Sequence, residues 1–286
     1  MRCAVCDSTK IRESFRKQGC DYRQCASCGL IFRYPLPSET ELAKIYDCDY
    51  YAPWRAKDGK ESDIRQNKKE TFLTWIHWIE EHVSPGSLLD VGCAMGYFLE
   101  VVQESGWQPW GVEISEYSYS TAARLWGERV FHGDLLSAHF AENRFDAVTM
   151  FDVIEHQADP RESFKEVHRV LKPGGVLLLS TADTRSLSCQ LMGKIWPHFK
   201  PEHLYCFSRK NISLALQKSG FTKVQIRRAR KVLSLCYVNS YFEAYPILML
   251  TPALKALLAL LPASLGQAPF RLGIGEMLVM AQKENA

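Results

Sequence analysis

Two carboxylates arranged around a glycine-spaced turn are the residues best placed to do chemistry. The stretch SLLDVGCAMGYFLE, Ser87 to Glu100, is an apolar run that ends in Asp90, bends at Gly92 and Gly96, and resumes as a helix. Glycines at such a bend let the backbone take unusual dihedrals and approach a ligand closely. The helix start points free N–H groups into the same space, which suits a carboxylate or another anion. A glycine turn alone serves packing about as often as binding. Glu113, the last residue of WGVE, decides for a ligand, because it follows Asp90 by 23 residues. In nucleotide folds an acid about 20 residues beyond the glycine loop meets a ribose diol, since the next parallel strand ends beside the first. Asp134 in VFHGDL and Asp152 in FDAVTMFDVIEH close an apparent third and fourth strand.

A second chemistry lies at the N-terminus. Cys3-x2-Cys6 and Cys25-x2-Cys28 leave 18 residues between the two knuckles, a spacing that fits a four-thiolate zinc site. With four protein ligands no position is left for water, so the ion is expected to be structural. Cys20 is an extra thiol near the set. A third candidate chemistry is proton transfer by His156 and His203, because imidazole titrates near neutrality and both lie in segments expected at the mouth of the fold.

These residues need a scaffold, and the chain supplies alternating strands and helices. Phe72, Trp75, Ile76, Ile79 and Val83 follow helical spacing, and Pro85-Gly86 ends that helix. Strands are expected at Ser87 to Val91, at Trp110 to Glu113, at Val130 to His132, at Phe145 to Phe151 and at Val176 to Ser180. Helices are expected from Tyr97, around Tyr119 to Trp126, and at Arg161 to Leu171, stopping at Pro173-Gly174-Gly175. Such alternation implies a parallel sheet covered on both faces, with ligands at the carboxyl ends of the strands. Phe221 to Ala229 and Gly275 to Lys283 read as two further strands. Lys57 to Asn67 is polar and expected to be exposed.

The ordered set DVGCAMG, GVE, GD, FDAVTMFDVIEH and LKPGGVLLLS resembles the strand-end motifs of the class I S-adenosylmethionine-dependent methyltransferases, over roughly Thr71 to Lys283. The resemblance implies an α/β fold: a Rossmann-like seven-stranded methyltransferase sheet, here with a small N-terminal zinc ribbon and an apolar helical insertion. It implies S-adenosyl-L-methionine as cofactor, held by Asp90, Gly92, Cys93, Gly96, Glu113, Ile114, Asp134, Leu135, Phe151 and Asp152. Asp134 would accept from the exocyclic amine with Leu135 beside the ring, and Phe151 would stand near the reacting methyl. Ala94 departs from a frequent glycine, and Ser180 to Asp183 departs from a frequent proline or asparagine. The VIEH stretch resembles the ubiquinone-pathway O-methyltransferases, which bind a divalent ion through positions comparable to Asp152, Glu155 and His156. PEHLYCFS resembles the acceptor-side segment of ribbon-bearing members, so the region from Ser186 is expected as a loop over the site. The last two strands form an antiparallel pair in this family.

The domains are therefore expected at 1–34 (ribbon), 35–70 (connector) and 71–286 (methyltransferase domain), with an insertion at 231–274. In the connector, Ser38 and Glu41 suit a helix cap, and Tyr50, Tyr51 and Trp54 either cover the cofactor or pack a domain seam. In the insertion, YPILMLTPALKALLALL (Tyr245 to Leu261) is strongly apolar, but Pro246, Pro252 and Lys255 interrupt it too often for a bilayer-spanning helix. A hydrophobic lid over a lipid-linked or otherwise greasy acceptor is the preferred reading. A helix lying in a membrane interface beside Arg227, Arg228, Arg230 and Lys231 is the other.

With 286 residues, 47% of them hydrophobic and 23% charged, a folded core is expected rather than disorder. A net charge of +3 is too small to argue for nucleic acid. The polar start MRCAVCDSTK lacks the apolar stretch of a secretory signal, so a cytoplasmic setting is expected, with peripheral membrane contact through 245–261. Ten cysteines fit that setting if four hold metal and the others stay thiols. The expected function is methylation, foremost O-methylation, of a small molecule such as a sugar, a lipid-linked glycan or a quinone. The alternatives are an RNA methyltransferase, which a basic stripe would favour, and a non-catalytic binder of the cofactor.

Overall fold

The computed structural model describes residues 1–38, 41, 61–236, 238, 239, 250–273 and 275–285. Tyr50, Tyr51 and Trp54 lie outside them, as does the first part of the apolar run from Tyr245. Ser38 and Glu41 form the expected reciprocal cap: the Ser38 N–H donates to Glu41 Oε2 at 2.8 Å and the Glu41 N–H to Ser38 Oγ at 3.3 Å.

A small antiparallel sheet comes first. It comprises β1 (Ile11–Lys17), β2 (Cys20–Cys25) and β3 (Ile31–Tyr34). The large sheet is built from β4 (Ser87–Val91), β5 (Gln108–Glu113), β6 (Val130–His132), β7 (Phe145–Phe151), β8 (Leu171–Ala182), β10 (Phe221–Arg228) and β13 (Glu276–Lys283). Its order is β10-β13-β8-β7-β4-β5-β6, and β13 alone runs against the others. The central strands are apolar on both sides because both faces are covered. Leu89, Val148 and Leu177 join one hydrophobic cluster with Phe164, while their neighbours Leu88, Ala147 and Leu178 join another with Trp75 and Ile76. Successive strand residues point to opposite faces, so this split follows from the period of two.

The helices on those faces are α1 (Glu61–Glu80), α2 (Tyr97–Glu104), α3 (Glu116–Trp126) and α4 (Pro160–Val170). Helix α4 starts where its sequence directs: Asp159 accepts the Arg161 and Glu162 N–H groups at 2.9 and 3.2 Å, and Pro160 fills the first turn. Beyond β8 come α5 (Leu187–Met192), the short β9 (Tyr205–Cys206) and α6 (Arg209–Lys218). The insertion contains β11 (Lys231–Leu233), α7 (Leu250–Leu260), α8 (Ala263–Gln267) and β12 (Phe270–Leu272). Strands β11 and β12 pair with each other, which closes the insertion at its base.

Three local expectations change. Pro173-Gly174-Gly175 lies inside β8 rather than between a helix and a strand, because Leu171 already pairs with Phe145 before the register shifts. Helix α1 begins ten residues earlier than Thr71, and Asn67 is buried rather than exposed; ion pairs from Arg65 to Glu100 and from Lys69 to Glu104 hold this polar first half against α2. The segment from Ser186 contains helix α5, started by Ser186 Oγ accepting the Cys189 N–H, where a structureless loop was expected.

Candidate functional site

The glycine loop and Glu113 meet as their spacing requires. Strands β4 and β5 are parallel neighbours with Asp90 opposite Gly111, so Glu113 rises beside the loop. Its carboxylate accepts the Ala94 N–H at 2.8 Å through one oxygen and the Ser115 N–H at 2.7 Å through the other. Gly92 has φ 75° and Gly96 φ 83°. A Cβ at Gly92 would lie 2.5 Å from Val153 Cγ2, and one at Gly96 would lie 2.7 Å from Trp126 Nε1. Only glycine meets both the dihedral and the space at these two positions. Cys93 is buried, with its sulfur filling the space that a side chain at Gly111 would occupy.

Asp90 is buried and accepts from Thr149 Oγ1 at 2.6 Å. Burial pushes its carboxyl up to about 7, against the pull of the Thr149 hydrogen bond and with a further push from Glu113. Along the same rim Ile114 is exposed, Leu135 is buried, and Asp134 accepts the Ser137 N–H at 2.7 Å through a single oxygen. These positions lie just beyond the carboxyl ends of β5 and β6. Phe151 sits differently: its ring packs among Phe72, Trp75 and Phe98, with centroids 4.6 to 5.9 Å apart.

Asp152 is held in the left-handed region at φ 57°, where aspartate is one of the few tolerated residues. Its carboxylate accepts from Ser180 Oγ at 2.7 Å and from Lys231 Nζ at 3.0 Å. Surrounding protein would raise this carboxyl, but the Lys231 ammonium outweighs that effect and holds it at about 2. Lys231 also reaches Glu276 at 2.6 Å. Lys231 thus ties β11 to the residue that follows β7 and to the first residue of β13, whereas Arg227 and Arg228 are exposed.

The family resemblance grouped Asp152 with Glu155 and His156, but in space the third partner is His203. Ligand atoms of Glu155, His156 and His203 lie within 4.8 Å of one another, and the two imidazoles meet edge to face with centroids 4.8 Å apart. His156 Nδ1 is 3.0 Å from the Glu202 carbonyl, so it carries the proton and leaves Nε2 as the acceptor. Glu155 Oε2 is buried with no hydrogen-bond partner among the described residues. Burial lifts Glu155 to about 8, helped by Asp152, and lowers His156 to about 4 and His203 well below its usual range. His198 stands next to His203 at 6.2 Å and is likewise lowered by burial to about 4. His198, on the same poorly periodic segment as His203, was missed at the sequence level; the PHFKPEH spacing of two histidines was the available signal.

The small N-terminal sheet builds this corner. Strand β9 pairs with β3, so the segment carrying His203 becomes a fourth strand of that sheet. Tyr22 Oη donates to the Lys200 carbonyl, the Arg33 guanidinium to that of Pro201 and the Lys17 ammonium to that of Trp196, at 2.9, 2.7 and 2.7 Å. The four sulfurs of Cys3, Cys6, Cys25 and Cys28 also lie within 4.8 Å of one another. Cys3 to Cys28 and Cys6 to Cys25 are each 3.5 Å apart. Four sulfurs at about 2.3 Å from one zinc would stand about 3.8 Å apart, so this set fits the ion. Cys3 and Cys28 share a sulfur–sulfur hydrogen bond in which either can donate, and that bond lowers the Cys3 thiol.

Among the described residues no helix is long and apolar enough to cross a membrane.

Comparison with known proteins agrees with this architecture. Ubiquinone biosynthesis O-methyltransferase of Pseudomonas paraeruginosa is 32% identical over 115 residues, 37% of this chain and 49% of that protein. Its counterpart in Caulobacter vibrioides is 32% identical over 144 residues, 42% and 56% of the two chains. The chain thus spans about half the length of the curated relatives it matches. Among solved structures, a SAM-dependent methyltransferase from Archaeoglobus fulgidus superposes with a TM-score of 0.55 at 18% identity, over 82% of this chain and 100% of that one. Phosphoethanolamine N-methyltransferase 2 of Haemonchus contortus, solved with phosphomonomethylethanolamine and S-adenosylhomocysteine, gives 0.54 at 17%, over 89% and 63%. These two likenesses concern the fold. The methyltransferase domain profile matches residues 64–226, more than half of the sequence, and with the seven-stranded sheet and its strand-end acids in place, the chain belongs to the methyltransferase domain family, with the class I fold.

Proposed function

We propose that this chain transfers the methyl group of S-adenosylmethionine to a small-molecule acceptor, at oxygen. The observation that carries the reading is the position of Glu113 across the Gly92–Gly96 bend, with Asp90 buried beneath it. The Ala94 and Ser115 N–H groups hold the Glu113 carboxylate at the loop, where a ribose diol would meet it. The bend and the start of α2 take the amino-acid tail, Asp134 takes the exocyclic amine, and Ile114 and Leu135 flank the adenine.

When bound, the sulfonium supplies an electrophilic methyl and leaves as a neutral thioether, so no acid is needed. The protein's own task is to hold the acceptor in line, a service worth effective molarities of about 10⁵ to 10⁸ M. His203 and His156 are kept neutral by burial, the state in which an imidazole takes a hydroxyl proton. Glu155 lies beside them and Asp152 is locked to Lys231, so the proton-accepting group is drawn from the histidine pair rather than from Asp152.

Cys3, Cys6, Cys25 and Cys28 hold a structural zinc in this reading, and the ribbon they close fixes the acceptor-side segment through β9. The domains are a ribbon at 1–34, a connector at 35–70 and the transfer domain at 71–286. The apolar insertion at 231–274 fits a greasy or lipid-linked acceptor reached at a membrane surface. The relatives named as ubiquinone biosynthesis O-methyltransferases support transfer to oxygen. Isothermal titration with S-adenosylhomocysteine tests the reading: micromolar binding that Glu113→Ala abolishes in a folded protein supports it, and unchanged binding overturns it. Labelled methyl donor incubated with small-molecule extracts then identifies the product.

A further inference from the structure

Charge is distributed very unevenly along this chain. Residues 184–275 contain thirteen lysines and arginines against two acids, a net +11 in a chain whose total is +3, so the remainder sums to −8. Of the acids in and beside this stretch, Glu202 turns onto Lys200 at 3.8 Å, Glu276 onto Lys231 and Asp183 onto Arg209 at 3.1 Å. All three side chains are at most 13% exposed; Glu243 lies outside the described residues. Arg185, Lys194, Arg228, Arg230, Lys255 and Arg271 are exposed.

The same stretch presents an unusual amount of apolar surface. Leu187, Leu191 and Ile195 recur at intervals of four along α5 and the turn after it, while Leu257, Leu260 and Leu265 project from α7 and α8. All six are between 46% and 84% exposed. The base of the insertion meets the start of α5 at one end of the sheet. Helix α5 follows the carboxyl end of β8, Gly275 after β12 packs on Ser186 and Ser188 of the α5 start, and the Asp183 N–H donates to the Gly275 carbonyl at 2.9 Å. That is also the end that holds Asp152 and the histidine pair.

We propose that this face docks on the surface of an anionic lipid bilayer, with the leucines in the acyl boundary and the basic side chains among acidic headgroups. Interfacial segments combine apolar and basic residues in this way, and each lysine or arginine near an acidic leaflet adds attraction within a Debye length. Among the described residues the eleven of α7 span about 16 Å as a helix, half of a hydrocarbon core of about 30 Å, a length that suits lying on the bilayer. RNA would be met by the basic groups but gives the leucine stripe nothing to bury. A second copy would set one basic face against another. Docking turns the carboxyl ends of the strands toward the bilayer, which is the approach a lipid-linked acceptor requires.

The full chain, without methyl donor or acceptor, is floated with phosphatidylcholine vesicles and with vesicles that also contain phosphatidylglycerol. Binding is expected only to the second kind and is expected to fall steeply between about 0.05 and 0.3 M salt. The combined variant Leu187→Ser, Leu191→Ser, Ile195→Ser, and separately Lys194→Glu, are expected to weaken partition about tenfold while S-adenosylhomocysteine binding is unchanged. Equal partition of wild type and variants, binding to neither vesicle, tighter binding to single-stranded RNA than to vesicles, or dimerisation abolished by the serine variant would each overturn the proposal. Because no transfer is measured, failure here leaves the methyltransferase reading intact, and failure of cofactor binding leaves the docking result to stand by itself.

Discussion

His156 and His203 meet edge to face at 4.8 Å although one follows β7 and the other lies in the segment joined to the N-terminal ribbon. If one of them takes the acceptor proton, His203→Ala and His156→Ala should differ. The variant lacking the proton acceptor is expected to lose about 10² to 10⁴ in kcat with the affinity for S-adenosylhomocysteine retained. The other should change mainly KM. Steady-state kinetics with the identified acceptor, beside calorimetry, check this; full kcat in both variants removes the histidine pair from the reaction.

The ribbon should matter to the acceptor side alone. Zinc analysis is expected to give about one ion per chain, lost in Cys25→Ser or after strong chelation at pH 7, since thiolate sites are stable only while the metal holds them together. Because Tyr22 and Arg33 pin the carbonyls of Lys200 and Pro201, loss of zinc is expected to abolish methyl transfer while donor binding at Glu113 persists. Equal loss of both would show that the ribbon supports the whole fold.

Asp90 gives the unliganded protein a pH signature. Its folded carboxyl, near 7, stands above the ordinary value of 3.8 because of burial. The folded state therefore binds this proton more tightly than the unfolded state. The resulting stability is fully present below about pH 4 and is lost as pH rises through about 7. Urea midpoints of the wild type should show this fall relative to Asp90→Asn, whose neutral amide has no such proton to lose.

Ala94 sits at φ 48°, a conformation that costs an L-residue about 1–2 kcal/mol and glycine nothing. After allowing for the greater freedom of glycine in the unfolded chain, Ala94→Gly is expected to raise stability by about 0.5–1 kcal/mol. Its N–H to Glu113 should survive, so cofactor affinity is expected to stay within about twofold. Chemical denaturation and calorimetry read the two effects separately.

Lys231→Met should be costly. It leaves Asp152 and the buried Glu276 facing each other without their shared cation, and breaking such a set typically costs about 3–5 kcal/mol. Because the Asp152 side chain is 45% exposed, the lower end is expected. Adding Glu276→Gln should recover part of the loss, which a double-mutant cycle measures.

The strand-end acids were legible because they depend on backbone repeat alone: a strand, a turn, a helix and the next strand place Asp90 and Glu113 side by side whatever fills the core. The two CxxC knuckles were legible for the same local reason. The partner of Asp152 was not, since Lys231 is set by the distant pairing of β11 with β12 and carries no local signature. The family resemblance implied one cluster of Asp152, Glu155 and His156, but the left-handed backbone at Asp152 sends its carboxylate toward Ser180 and Lys231 and leaves His203 to complete the corner. The Pro-Gly-Gly inside β8 misled because those residues usually end elements, and here a register shift absorbs them.

Lys231, Val232 and Leu233 face Leu272, Arg271 and Phe270 across three rungs, so the long excursion between them departs and returns through one narrow neck. Such a neck makes the excursion a cartridge, with both of its ends held by one short ladder. Because the loop closes on that ladder, its entropic cost grows only slowly with its length, so a change of length there weighs little on the fold.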